Sequence, residues 1–221
     1  MFSREALARS LDRLKIFPLP TAVLLPGAVL PLHIFEPRYR KMVADALAGD
    51  RMLAMSMLEP GWEQDYHGRP RVRRICGVGR IAQEEKLPDG RFNIQLVGVG
   101  RAEIVEELPP EEPYRIVRAR MPPEEAPADL HLAETLRHAL LSLCAAVTGE
   151  AAQELARAGG ALKDPGDLAD VCAASLCTEA TIRQKVLEEL AVGKRLQLAL
   201  DVVGEALLKA RSEPEGGTVL N

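Results

Sequence analysis

The sequence predicts an α+β protein, with a β-rich unit over residues 15–124 and a helical unit over residues 125–211. Three observations carry this. Short apolar runs broken by proline fill the first half, together with an Asp89-Gly90 hairpin signal. The stretch from Pro122 to Pro127 is a Pro/Glu-rich linker. Beyond it, leucines recur at helical spacing to about Arg211.

Residues 1–14 read as a short amphipathic helix, capped by Ser3, with Leu7, Leu11 and Leu14 on one face. Ile16–Leu19, Val23–Leu25 and Val29–Phe35 are short apolar runs, the last two separated by a Pro26-Gly27 turn. Prolines inside such runs argue for edge strands or bulges rather than central ladders. Pro37 opens a helix whose apolar face is Tyr39, Met42, Val43, Ala46 and Leu47, and Gly49 ends it. Met52–Leu58 reads as a buried strand, with Leu53, Met55 and Met57 on one face. Residues 59–70 form a polar loop that nonetheless holds the only tryptophan, Trp62, and Tyr66. Val78–Leu87 and the run Phe92–Val99 make a hairpin across Asp89-Gly90. Gly98 to Gly100 reads as a break before a third strand at Ala102, and Tyr114–Met121 is a fourth. Short turns between antiparallel strands suggest a small barrel or sandwich with one inserted helix.

In the second half, Leu130, Leu136, Leu140, Leu143 and Val147 line a long helix. Asp164-Pro165 caps another, and Thr178 is expected to cap a third. A last helix starts near Val192 and carries Leu196, Leu200, Val203 and Leu207. Residues 212–221 read as a flexible tail.

Composition narrows the function. Aromatics are only 4 % of residues, so the core must be aliphatic and each aromatic is informative. The net charge is −4, with 19 Lys+Arg against 18 Asp+Glu up to Glu125 and 9 against 14 beyond it. Neither half is basic enough to suggest a nucleic-acid surface. No window approaches a membrane span, and no secretory signal opens the chain, so a cytoplasmic protein with no membrane partner is expected. Cys76, Cys144, Cys172 and Cys177 form no CxxC pair and read as reduced, mostly buried thiols.

Catalytic signals fail on context. Gly77-x-Gly79-x-x-Ala82 matches a dinucleotide fingerprint, but a strand and a hairpin follow it instead of a helix. These glycines, echoed in Gly98-Val99-Gly100-Arg101, instead suit bulges or tight strand starts. Gly193-Lys194-Arg195 lacks the rest of a phosphate-binding loop. His33, His67, His131 and His138 fall at no metal spacing, and no activated nucleophile is evident. No catalytic residue, metal or cofactor is expected.

Binding signals are stronger. Trp62 and Tyr66 either pack the polar loop onto the strands or form an exposed contact surface. Arg69, Arg71, Arg73 and Arg74 form a basic run, the first three expected on one strand face; it suits an acidic peptide or simply a charge-protected edge. Phe35, Tyr39, Trp62, Tyr66, Arg69 and Arg71 are the candidate peptide-contacting residues.

Several segments together resemble a known family. Leu14–Leu19, Leu25-Pro26-Gly27 and Leu30-Pro31-Leu32-His33-Ile34-Phe35-Glu36-Pro37-Arg38-Tyr39 are similar to the opening of the Lon protease N-terminal domain. Gly77–Ile81, Leu87–Arg91 and Val97–Arg101 continue the likeness in order, and Gln184–Glu188 with Arg195-Leu196 extends it to about residue 208. The resemblance implies a β pseudo-barrel joined to a helical bundle that recognises polypeptide substrates. The family's ATPase motor and Ser-Lys peptidase lie downstream, so neither activity is expected here.

The expected function is a non-catalytic adaptor for unfolded or extended polypeptide, alone or within a protease or chaperone system. A rival reading is a hydrolase or small-molecule site between barrel and bundle, using Glu36, Arg38, Tyr39, Asp65 and His67. A third is self-association through the leucine-rich last helix.

Overall fold

The computed structural model describes residues 4–66, 68–126, 130–147 and 149–212. Ser3, His67 and the 213–221 tail lie outside these residues. The chain divides into two compact units, 1–122 and 123–221.

The first unit opens with helix α1 (Arg4–Ser10) and a 3-10 turn (Leu11–Arg13), which lead directly into β1 (Leu14–Leu19). Then come β2 (Val29–Ile34), α2 (Pro37–Leu47) and β3 (Met52–Met57). A 3-10 turn at Trp62–Asp65 precedes β4 (Ile75–Lys86), β5 (Phe92–Glu107) and β6 (Arg115–Arg120). The strand order is β2-β5-β4-β3-β1-β6, and β5 also pairs with β6. That extra pairing closes β5, β4, β3, β1 and β6 into a ring, and β2 flanks the first half of β5.

Four sequence expectations change here. The sheet is antiparallel except for β1 and β3, which run parallel with Phe17 opposite Met55. β1 lies inside the ladder despite Pro18: its pairing with β6 covers only Leu14–Ile16, so the missing N–H of Pro18 removes no bond on that side. Gly98 to Gly100 does not end a strand, because β5 runs through it for 16 residues. Val23–Leu25 is a buried crossing segment, not a strand.

The glycines explain that crossing. A Cβ on Gly77 would overlap the Leu24 carbonyl oxygen, and one on Gly98 would overlap that of Leu25. Gly98 also exchanges backbone hydrogen bonds with the segment, accepting from Gly27 N at 3.0 Å and donating to Ala28 O at 2.8 Å. The repeated Gly-Val-Gly-Arg pattern thus lets a buried strap lie flat on two neighbouring strands.

β1 and β3 are buried on both faces. Ile16, Met52 and Ala54 join a cluster with Leu7, Leu11 and Val117. Phe17, Leu53 and Met55 join the other, under Tyr39, Met42, Val43 and Ala46 of α2. Each large apolar side chain so buried contributes about 1.5–3 kcal/mol. This is why the Met52–Met57 run is apolar at every position but Ser56, whose buried hydroxyl donates to Arg73 O, instead of alternating.

The second unit contains α3 (His131–Ala146), α4 (Glu150–Ala161), α5 (Pro165–Leu176), α6 (Ala180–Glu188) and α7 (Val192–Ser212). Leu136, Leu140, Leu168, Cys172, Leu196 and Val203 are central to its core. Asp164 caps α5 by accepting from Gly166 N at 2.8 Å and Asp167 N at 3.0 Å. Thr178 caps nothing; α6 begins after Glu179, whose side chain makes no capping bond. Arg195 is fully buried, 2.7 Å from Glu124 and 3.6 Å from Asp170.

Candidate functional site

A cleft of about 320 Å³ opens in the first unit. The first turn of α2 supplies Arg38 and Tyr39, because Pro37 fixes the helix start and places them one after the other. The loop after the Trp62–Asp65 turn supplies Tyr66 and Arg69, and the approach to β6 supplies Tyr114 and Arg115. Prolines 18, 70, 110 and 113 stiffen the walls.

Arg38 is the hub. Its guanidinium carbon lies 4.5 Å from the Tyr39 ring centroid and 5.5 Å from that of Tyr66. Its Nε donates to Glu36 at 3.0 Å, and the Tyr66 hydroxyl donates to the other oxygen of Glu36 at 3.4 Å. Arg115 forks onto both oxygens of Glu107 at 2.9 and 2.7 Å and donates to Pro70 O at 2.8 Å. Arg69 donates to the same Glu107 at 2.8 Å. On another flank, Glu112 meets Lys41 at 3.0 Å.

Burial pushes the Tyr39 phenol up to about 12, and burial also raises Tyr66. Burial raises Tyr114 as well, reinforced by its hydrogen bond to Asp45. All three phenols therefore stay neutral donors across the physiological range.

Of the six candidate contact residues, Tyr39, Tyr66 and Arg69 line the cleft. Trp62 is half-buried beside it, its ring edge-on to Tyr66 at 5.5 Å. Phe35 is 60 % exposed, does not line the cleft and stacks near His33 at 6.3 Å. Arg71 is exposed, and residues 69–74 form no strand beyond a single bridge from Val72 to Leu58, so the arginines share no strand face. Asp65 shapes the loop, accepting from Arg69 N at 3.2 Å. Arg115 and Glu107 were not singled out in the sequence: only the β5–β6 pairing brings them together.

Among the described residues no group of three His, Cys, Asp or Glu is placed to hold a metal, and no helix is long and apolar enough to cross a membrane. The four cysteines are unpaired, and burial pushes the Cys76 and Cys172 thiols up to about 12.

A closed small sheet followed by a helical unit is the arrangement of Lon N-terminal domains. The N-terminal domain of a Mycobacterium avium complex Lon protease superposes with a TM-score of 0.70 at 22 % identity, covering 87 % of this chain and 98 % of that one. A Lon N-terminal domain protein from Xanthomonas campestris gives 0.59 at 21 % identity, covering 86 % and 97 %. The Lon protease of Heliobacterium modesticaldum is 24 % identical over 211 residues, 94 % of this chain and 26 % of that protein. Lon protease 2 of Sorangium cellulosum is 28 % identical over 222 residues, 96 % and 27 % respectively. The chain thus spans about a quarter of these relatives. The model of the ATP-dependent protease La (LON) substrate-binding domain matches residues 13–204, and the chain belongs to that family.

Proposed function

We propose that the chain is a substrate-recognition module that binds unfolded or extended polypeptide and itself neither hydrolyses ATP nor cleaves peptide bonds. The observation that carries this is the cleft: aromatic rings, proline walls and three arginines converge where the half-buried Trp62 abuts Tyr66. Aromatic and arginine side chains concentrate binding energy at interfaces. Family membership supports the same role. Unpaired thiols suit a reducing compartment, the cytoplasm. Delivery to a protease or chaperone system is the role such binding would serve.

Trp62, the only tryptophan, makes the test direct. Titration with a permanently unfolded model protein should give a saturable change in Trp62 emission. Emission that stays constant, with no complex on a sizing column, would remove the cleft as a polypeptide site.

A further inference from the structure

We propose that the cleft around Arg38, Tyr39 and Arg115 is an anion subsite that takes a carboxylate of the bound polypeptide. This rests on the polypeptide-binding reading above and specifies what part of the polypeptide is recognised.

One donor in the wall is buried without an acceptor, and a second, from the next residue, makes no hydrogen bond among the described residues. Arg38 Nη2 is buried and has no hydrogen-bond partner, although Nε of the same guanidinium is held by Glu36. The Tyr39 hydroxyl finds no acceptor among the described residues, and burial keeps it protonated. Leaving a buried charged donor such as Nη2 unmet is costly, whereas the Tyr39 hydroxyl is simply available.

Carboxylates are also in short supply on this wall. Arg38, Arg69 and Arg115 share two, Glu36 and Glu107. Glu107 alone accepts from two guanidiniums. Glu112, which also lines the cleft, is engaged by Lys41. Asp45 is held by Lys41 and Tyr114.

An incoming carboxylate would accept from Arg38 Nη2 and the Tyr39 hydroxyl together. Both bonds would be charge-assisted, which a neutral amide cannot match. The volume, about 320 Å³, suits one side chain or a chain end. An Asp or Glu side chain and a free C-terminus offer the same group.

The test uses the full chain, Trp62 emission and three tryptophan-free decapeptides of otherwise uncharged sequence. One carries a single Glu and an amidated C-terminus. The second has Gln in its place, also amidated. The third is the Gln peptide with a free C-terminus. At least one carboxylate peptide should bind about tenfold more tightly than the Gln amide. Which one does so identifies the source. That preference should vanish in Arg38→Gln. In Tyr39→Phe, which deletes a hydroxyl with no partner, it should fall about threefold. If Arg38→Gln loses its cooperative thermal transition, Tyr39→Phe decides alone, and an unchanged preference overturns the proposal. Equal binding of all three peptides to the unaltered protein also overturns it while leaving polypeptide binding intact. Failure of every peptide and of the unfolded protein to bind would instead bring down the underlying reading.

Discussion

Asp45 gathers two donors, Lys41 and the Tyr114 hydroxyl at 2.7 Å. Burial pushes its carboxyl up, but those hydrogen bonds outweigh burial and hold it below the ordinary value. A depressed carboxylate contributes stability above its unfolded value, about 3.9, and loses it as pH falls through the folded one. Tyr114→Phe should therefore cost about 0.5–1.5 kcal/mol at pH 7, toward the lower end because Asp45 is 34 % exposed. Denaturant melts at pH 7 and pH 3 should show that gap narrowing in acid; an unchanged gap would rule out the electrostatic account. At this scale, residue types were more legible than their partners. The sequence marks Tyr39 and Tyr66 as aromatics worth notice, but Arg38 gains its meaning only from the two rings beside it. Likewise Gly77 and Gly98 are visible as a repeated pattern, whereas the buried carbonyls they accommodate belong to a segment far away in sequence.

Among the elements, those with a local cause were readable. α2 follows from Pro37 and its apolar stripe, and α5 from the Asp164-Pro165 start. Asp164→Ala should lower stability by about 1 kcal/mol, measured as a shift in the urea midpoint, because it frees two backbone N–H groups at once. No change in midpoint would mean water replaces the cap without loss. Elements whose limits depend on distant partners are not legible in the sequence. β5 continues past Gly98 because β4 on one side and then β6 on the other keep pairing it. The sequence does not mark α4 as a separate helix, since its run is rich in alanine and glycine, with Ala152, Leu155 and Gly159 its buried residues. Gly159 is there for space: a Cβ would strike Leu140 of α3.

For the whole molecule, the chain divides at residues 122/123 within the proline-rich stretch, and the short antiparallel strands pointed to a barrel or sandwich, but neither the strand order nor the parallel β1–β3 pair could be read from the sequence. Each unit has its own buried clusters, two in the first and one in the second. A fragment of residues 1–122 should therefore unfold cooperatively and keep the Trp62 emission of the full chain. A broad, non-cooperative melt would show that the first unit depends on the second. The cleft falls wholly within that fragment, so its binding behaviour should persist there.

The β1–β6 seam also governs timing. Leu14 pairs with Val117, about a hundred residues later. The ring cannot close until nearly the whole first unit has left the ribosome, and bringing such distant ends together is slow compared with zipping a hairpin such as β4–β5. Until then β1, one of the most apolar strands, waits without its final neighbour. The first unit therefore stays an unfinished chain, with its apolar β1 unpaired on one side, for longer than its length alone would suggest.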